Sequence, residues 1–231
     1  MTLLAENLIN VKNLKPPTTR YKKGVKQPTL KMLKPGSNNK KLGGKIKVKK
    51  WKHMPLYSLT LEERATCPSN CEQWNNCYGD NMPFAHRYDD SASDFNTMLE
   101  TQLAQLSDKH TDGFVIRLHV LGDFRNKRYI NQWKRWLAKF PKLNAFGYTH
   151  HKLMTAEGQL INTMNNMYPD RWQIRFSDDN STLFNAKVTK DPNYKPSSEE
   201  IVCPEQKGLT QSCATCGYCW SSKKSVVFVE H

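Results

Sequence analysis

The sequence predicts an α/β fold, either a partial (β/α) barrel or an open, mostly parallel sheet with helices outside. Three observations predict it. From residue 91 onward, apolar residues recur at helical spacing in three separate segments. Each of these segments is followed by a short β-rich run, and connections of that length favour parallel strands. All three β-rich runs end in polar residues, as strands do when their carboxyl ends build a ligand site.

The elements follow in order. KPPTTR, KPGSNN and LGG break up the first part of the chain, in which only KIKVKKW, with Ile46 and Val48 alternating against lysines, reads as a strand. TCPSNCEQWNNCYG is rich in Pro, Asn and Gly and reads as a loop. After cap residues Ser91 and Ser93, the positions Phe95, Met98, Leu99, Leu103 and Leu106 mark the first amphipathic helix. GFVIRLHVLGDF is the first regular strand, and Tyr129, Ile130, Trp133, Trp136, Leu137 and Phe140 mark the next helix, closed by Pro141. NAFGYTH is a second strand, Leu160, Ile161, Met164 and Met167 a third helix, and WQIRFSDD a third strand.

Charge divides the chain differently. The net charge is +14, yet residues 1–53 hold fifteen Lys or Arg against one acid, Glu6, while residues 54–231 hold twenty of each sign. Residues 1–37 are therefore expected to form a basic, partly flexible arm, and residues 38–231 a single α/β domain. Such a field attracts polyanions, nucleic acid foremost, or serves only solubility. No apolar run approaches the roughly 18 residues needed to cross a bilayer, and MTLLAENLINVKNLK lacks a basic signal-like start, so a cytoplasmic chain without a membrane partner is expected.

On the predicted rim, Asp123, His150 and Asp178 are candidate catalytic groups that position a small substrate. Asp123 and Asp178 also suit helix caps. Arg117 and His119 alternate along one strand and are expected to share a face, and Arg175 repeats the pattern on another strand. These three are candidates for holding something anionic, such as a cofactor.

The cysteines carry the strongest signal. Seven cannot pair completely, and in a reducing compartment clustered cysteines read as metal ligands. Cys67, Cys71 and Cys77 are spaced C-x3-C-x5-C, and Cys203, Cys213, Cys216 and Cys219 are spaced C-x9-C-x2-C-x2-C. Zinc prefers two separated C-x2-C knuckles, whereas the C-x2-C-x2-C run, with Pro following Cys203 and Cys67, suits a [4Fe-4S] cluster. One or two clusters are expected, with zinc as the alternative. Three thiolates would leave one iron open to a substrate or to a fourth side chain such as His86.

NNKKLGGKIKV, TCPSNCEQWNNCYG, RLHVLGDFRNKRYINQWKRWLAKFP, FGYTH and CATCGYCWSS with a terminal VVFVEH together resemble the phage family called gene product eighty-eight, from about residue 38 to the end. That resemblance implies a phage or mobile-element origin and a cysteine-ligated metal. The chain is more distantly similar to radical S-adenosylmethionine enzymes, which combine a partial barrel with a three-cysteine cluster. Their motif is C-x3-C-x2-C with an aromatic before the last cysteine; here the last spacing is longer, Asn76 precedes Cys77, and the aromatic, Tyr78, follows it. The expected function is thus an iron-sulfur protein performing a redox or radical-type reaction on a small substrate. The alternative is a zinc- or cluster-stabilised module that binds nucleic acid without catalysis.

Overall fold

The structure is a computed structural model that describes residues 18–48 and 50–230. Ten strands and five helices are assigned among them. In chain order these are β1 (Val25–Lys26), β2 (Lys34–Pro35), β3 (Leu56–Ser58), β4 (Arg87–Tyr88), α1 (Phe95–Lys109), β5 (Phe114–Leu118), α2 (Lys127–Lys139), β6 (Leu143–Thr149), α3 (Ala156–Met167), β7 (Trp172–Ser177), β8 (Asn185–Thr189), β9 (Glu200–Val202), α4 (Cys213–Cys216), α5 (Tyr218–Ser221) and β10 (Ser225–Val229).

Eight strands form one sheet in the order β2-β3-β5-β6-β7-β8-β10-β9, and β1 pairs with β4 apart from it. Every pairing in the large sheet is parallel except β2 with β3. The sheet is open: β2 and β9 are its edges, and no pairing closes it into a barrel. The predicted succession of three helices and three strands is α1-β5-α2-β6-α3-β7.

Each helix has a local cause. Asn126 caps α2 by accepting from the Tyr129 amide at 3.0 Å, and Thr155 caps α3 by accepting from the Gly158 amide at 3.0 Å. Helix α1 starts later than its serines suggest, with Asp94 in the cap position and no side-chain cap bond. The apolar stripes of the three helices bury Leu99, Leu103, Trp133, Trp136, Ile161 and Met164 against Phe114, Ile116, Leu118, Ala145, Trp172 and Ile174 of the strands. Burial of this kind stabilises by about 1.5–3 kcal/mol per large apolar side chain.

The other face is covered without long helices. Leu42, Ile46, Trp51 and Leu56 from the first part of the chain meet Ala214 and Trp220 over Val115 and Phe146. Trp220 lies 4.6 Å from Phe146 and stacks on Trp51 at 5.7 Å between ring centroids.

Among its described residues, KIKVKKW forms no strand. It makes one isolated bridge, Lys45 with Pro55, and the chain doubles back where Trp51 and His53 adopt φ of 67° and 74°. Its alternation reflects Ile46 buried in the second core, not sheet pairing. Of the residues expected as an arm, 1–17 lie outside the described residues. Thr19, Met32 and Leu33 are buried against the domain, and β1 and β2 fall in the same stretch. No helix among the described residues is long and apolar enough to cross a membrane.

Candidate metal and substrate site

Because the strands run parallel, the segments after β5, β6 and β7 gather at one end of the sheet. Gly122 makes this possible: its φ is 81°, and a Cβ there would lie 2.5 Å from the Thr66 hydroxyl and 2.8 Å from the Leu61 Cβ. The close approach brings the 61–67 segment, and with it Cys67, against the end of β5. The Thr66 hydroxyl accepts from the Asp123 amide at 3.0 Å.

Asp123 is buried and fully engaged. Its carboxylate accepts from the Thr149 hydroxyl at 2.8 Å, the His150 amide at 2.7 Å and the Phe124 amide at 2.7 Å. It is therefore not the cap of α2; it ties the β5 end to the β6 end. The His150 ring stands with Nδ1 4.0 Å from Asp123 Oδ2. Burial holds the imidazole below its ordinary pKa, against the opposing pull of Asp123 and Asp178, so it is neutral at pH 7. Asp178 is unusual in two ways. Its backbone is left-handed at φ 52°, and while Oδ1 accepts from the Val188 amide at 3.1 Å, its buried Oδ2 has no partner. Asp adopts the left-handed region more readily than most residues, so the unpartnered buried oxygen is what sets this side chain apart.

Cys67, Cys71 and Cys77 lie at this end. All seven thiols are free. Burial, then Asp123, holds the Cys67 thiol well above its ordinary range, and Cys71 is pushed up to about 12 by burial, with Asp123, Cys77 and Asp178 also raising it. A backbone amide opposes this at each sulfur: Arg64 at Cys67, Gln73 at Cys71 and Gly79 at Cys77. Hydrogen bonds of that kind favour a sulfur that carries negative charge, as a metal-bound thiolate does.

The loop bearing Cys77 is braced by groups that sequence reasoning missed. Arg87, fully buried, makes a two-point contact with Glu63 at 2.6 and 2.9 Å and donates to the carbonyls of Gly79, Met82 and Ala85. Arg64 makes a second two-point contact with Asp80 at 2.9 and 2.7 Å. Glu63-Arg64 beside the cysteine loop was the available signal, but nothing in the spacing pointed to partners at positions 80 and 87.

The second group converges elsewhere. Cys203, Cys213, Cys216 and Cys219 line one small pocket with Pro204, Gly217 and Trp220, with about 10 Å³ of free space, room for a water molecule. Gly217, at φ 64°, ends α4 and starts α5, and the turn keeps Cys213, Cys216 and Cys219 on the lining of this one pocket. Cys213 is pushed up to about 12 by burial and then by Cys219, with Arg117 and Lys41 pulling it back. The Tyr148 hydroxyl donates to Cys219 Sγ at 2.9 Å, and the Arg117 guanidinium stacks on the Tyr148 ring at 4.4 Å. Among the described residues, no three His, Cys, Asp or Glu side chains converge at the separation of ligands to a single metal ion.

The three expected anion-holding residues divide. Arg117 faces the four-cysteine side, stacked on Tyr148. Arg175 lies behind that pocket, with every nitrogen bonded to a main-chain carbonyl: Cys219 at 2.9 Å, Lys224 at 2.8 Å, Asn185 at 3.2 Å and Ser222 at 2.6 Å. His119 does not share Arg117's face. β5 ends at Leu118, alternation stops, and the ring turns to the helix side, 4.8 Å from Phe124 and 3.2 Å from the Tyr129 hydroxyl. His86 lies in a separate cleft with Lys34 and Phe84.

A comparison with curated proteins returned no match, and neither did one with solved structures. None of the comparisons supports the likeness to radical S-adenosylmethionine enzymes. The sequence model of the family described as Gene product 88 matches residues 28–222, which include all seven cysteines, the Gly-Asp-Phe turn and the Cys-Gly-Tyr-Cys turn. The chain belongs to the Gene product 88 family.

Proposed function

We propose that this chain is a phage-type iron-sulfur protein with two cysteine-held groups, one in the four-cysteine pocket and one at the three-cysteine loop. The observation that carries the reading is the lining of a single pocket by Cys203, Cys213, Cys216 and Cys219, the first ten residues before the second and the last two separated by left-handed Gly217. The donor set is all sulfur, and donors already point at it: Tyr148 at Cys219, and the amides of Gln206 and Glu205 at Cys203. An iron-sulfur core bound there would supply one-electron chemistry. Seating it requires the thiols to turn into the recess, a rotation among staggered rotamers. Zinc is the competing occupant and would require the sulfurs to draw together to about 3.8 Å, the edge of a tetrahedron with Zn–S near 2.3 Å.

At the three-cysteine loop, the chain's own residues support substrate chemistry. Neutral His150 can accept a proton, Asp178 Oδ2 can accept a hydrogen bond, and Asp123, saturated by its own contacts, holds the ends of β5 and β6 in register. A binding module without catalysis is the second reading, favoured by the fifteen cations against one acid in residues 1–53.

Anaerobic purification followed by iron and acid-labile sulfide analysis tests the proposal. Brown protein is expected, and Cys216→Ser and Cys71→Ser are each expected to lose about half of the iron while the other half stays. Colourless protein containing zinc, or iron-free protein whose circular dichroism survives strong chelation, would overturn it.

A further inference from the structure

The cleft that holds His86 has no part in the proposal above. It is an open cleft with about 390 Å³ of space, within the size range of small-ligand sites. It opens at the same end of the sheet as the three-cysteine loop, between the end of β3, the Gly36–Asn38 turn and the 82–86 segment. One wall is rigid, because Arg87 bonds the carbonyls of Met82 and Ala85 at 3.1 and 2.8 Å and is itself fixed by Glu63.

The chemistry of the lining selects its ligand. Lys34 provides a cation, His86, Asn38, Asn39 and Ser58 provide polar groups, and no Asp or Glu lines the cleft. A site with a cation and no carboxylate on its lining favours an anion. The second feature is Phe84, whose ring is 93 % exposed at the cleft wall. A phenyl ring held in water on a braced segment is a platform for a flat partner. A cation and an exposed flat ring on the lining of one cleft of this size suit a nucleotide.

We propose that this cleft binds a free mononucleotide, with its phosphate at Lys34 and its base on Phe84. The site stands on side chains that are not cysteine, so it does not depend on what the cysteines hold.

Calorimetric titration of the full chain with AMP, adenosine and ribose 5-phosphate tests it. AMP is expected to bind roughly tenfold or more tightly than either fragment. Phe84→Ala is expected to bring AMP down to the affinity of ribose 5-phosphate, and Lys34→Gln to bring it down to that of adenosine. Leu209→Ala, at an exposed position away from the cleft, is expected to leave AMP binding unchanged. No saturable AMP binding, or binding indifferent to both cleft variants, would overturn the proposal. A single-stranded oligonucleotide that binds where AMP does not would also overturn it, and would assign the cleft to a strand.

Discussion

Around Cys203, Cys213, Cys216 and Cys219 the lining is mostly apolar, with Glu205 and Tyr218 as its polar members, and Trp220 lines it while Arg175 is bonded to the main-chain carbonyls of Cys219 and Ser222. Cys67, Cys71 and Cys77 lie instead within electrostatic reach of Asp123, Asp178, Glu63 and Arg64. The same ligand type thus occurs in two settings. Four thiols in an apolar pocket can saturate a bound core and shield it, which suits an electron store or a structural staple. Three thiols beside a neutral histidine and an unsatisfied carboxylate oxygen leave a coordination position and the means to move a proton. Under the proposed reading, reaction chemistry belongs at the strand ends and support in the C-terminal segment.

The largest expected effect breaks the rim alone. Arg87→Met strands Glu63, which is 1 % exposed, and loss of one partner of a buried pair costs about 3–5 kcal/mol. Urea unfolding is expected to register that loss, and iron at the four-cysteine pocket is expected to survive it in the folded protein. If iron disappears from both groups while the circular dichroism is native, the two settings are one and the comparison fails.

An intermediate effect comes from His119, buried on the helix side just past the end of β5. Burial lowers its pKa to about 3 from 6.5, with Arg117 lowering it further. The unfolded chain takes up the proton first as pH falls, so stability present above pH 6.5 is lost on the way down to about 3, at up to about 1.4 kcal/mol per pH unit. Asp90 opposes this from about pH 6 downward, because burial raises its pKa to about 6 and the folded state then holds the extra proton. His119→Phe removes the first slope and leaves the second. The stability advantage of the unsubstituted protein over this variant is therefore expected to shrink as pH falls through the window. An advantage that stays flat in urea melts across pH 6.5 to 4 would show that the ring is not held neutral.

Much of this was readable in the residues. Helical stripes such as Tyr129-Trp133-Trp136-Leu137 need only local periodicity, so α1, α2 and α3 and the strands between them follow from spacing. The polar strand ends were readable for the same reason, and Gly122 and Gly217 stand inside motifs that the sequence already singled out. What depended on distant partners was not readable. β8 and β10 pair with each other across 35 residues of chain, and Arg87 finds Glu63 only because β1, β4 and the 61–67 segment meet. His119 was misassigned because alternation was extended one residue beyond Leu118, where the strand had ended. Tyr148 carries no signal of its role: it alternates like any strand aromatic, and only folding brings its hydroxyl to Cys219.

That contact supplies the smallest effect and the sharpest one. Tyr148→Phe keeps the ring on which Arg117 stacks and removes one hydroxyl, so packing against Phe228 is preserved. The expected stability loss is about 0.5–1.5 kcal/mol, the net value of one hydrogen bond. In the loaded protein a donor to a ligating sulfur stabilises the more negative, reduced state, so its removal is expected to lower the midpoint potential of the four-cysteine group. Among the described residues the cysteines that act on Tyr148 are Cys219 and Cys213, so the potential of the three-cysteine group is expected to stay where it was. A redox titration followed by electron paramagnetic resonance reads both groups in one sample. If both potentials move together, Arg117, whose charge reaches Cys213 on one side and Tyr78 beside Cys77 on the other, couples the two settings electrostatically and they cannot be treated as separate centres.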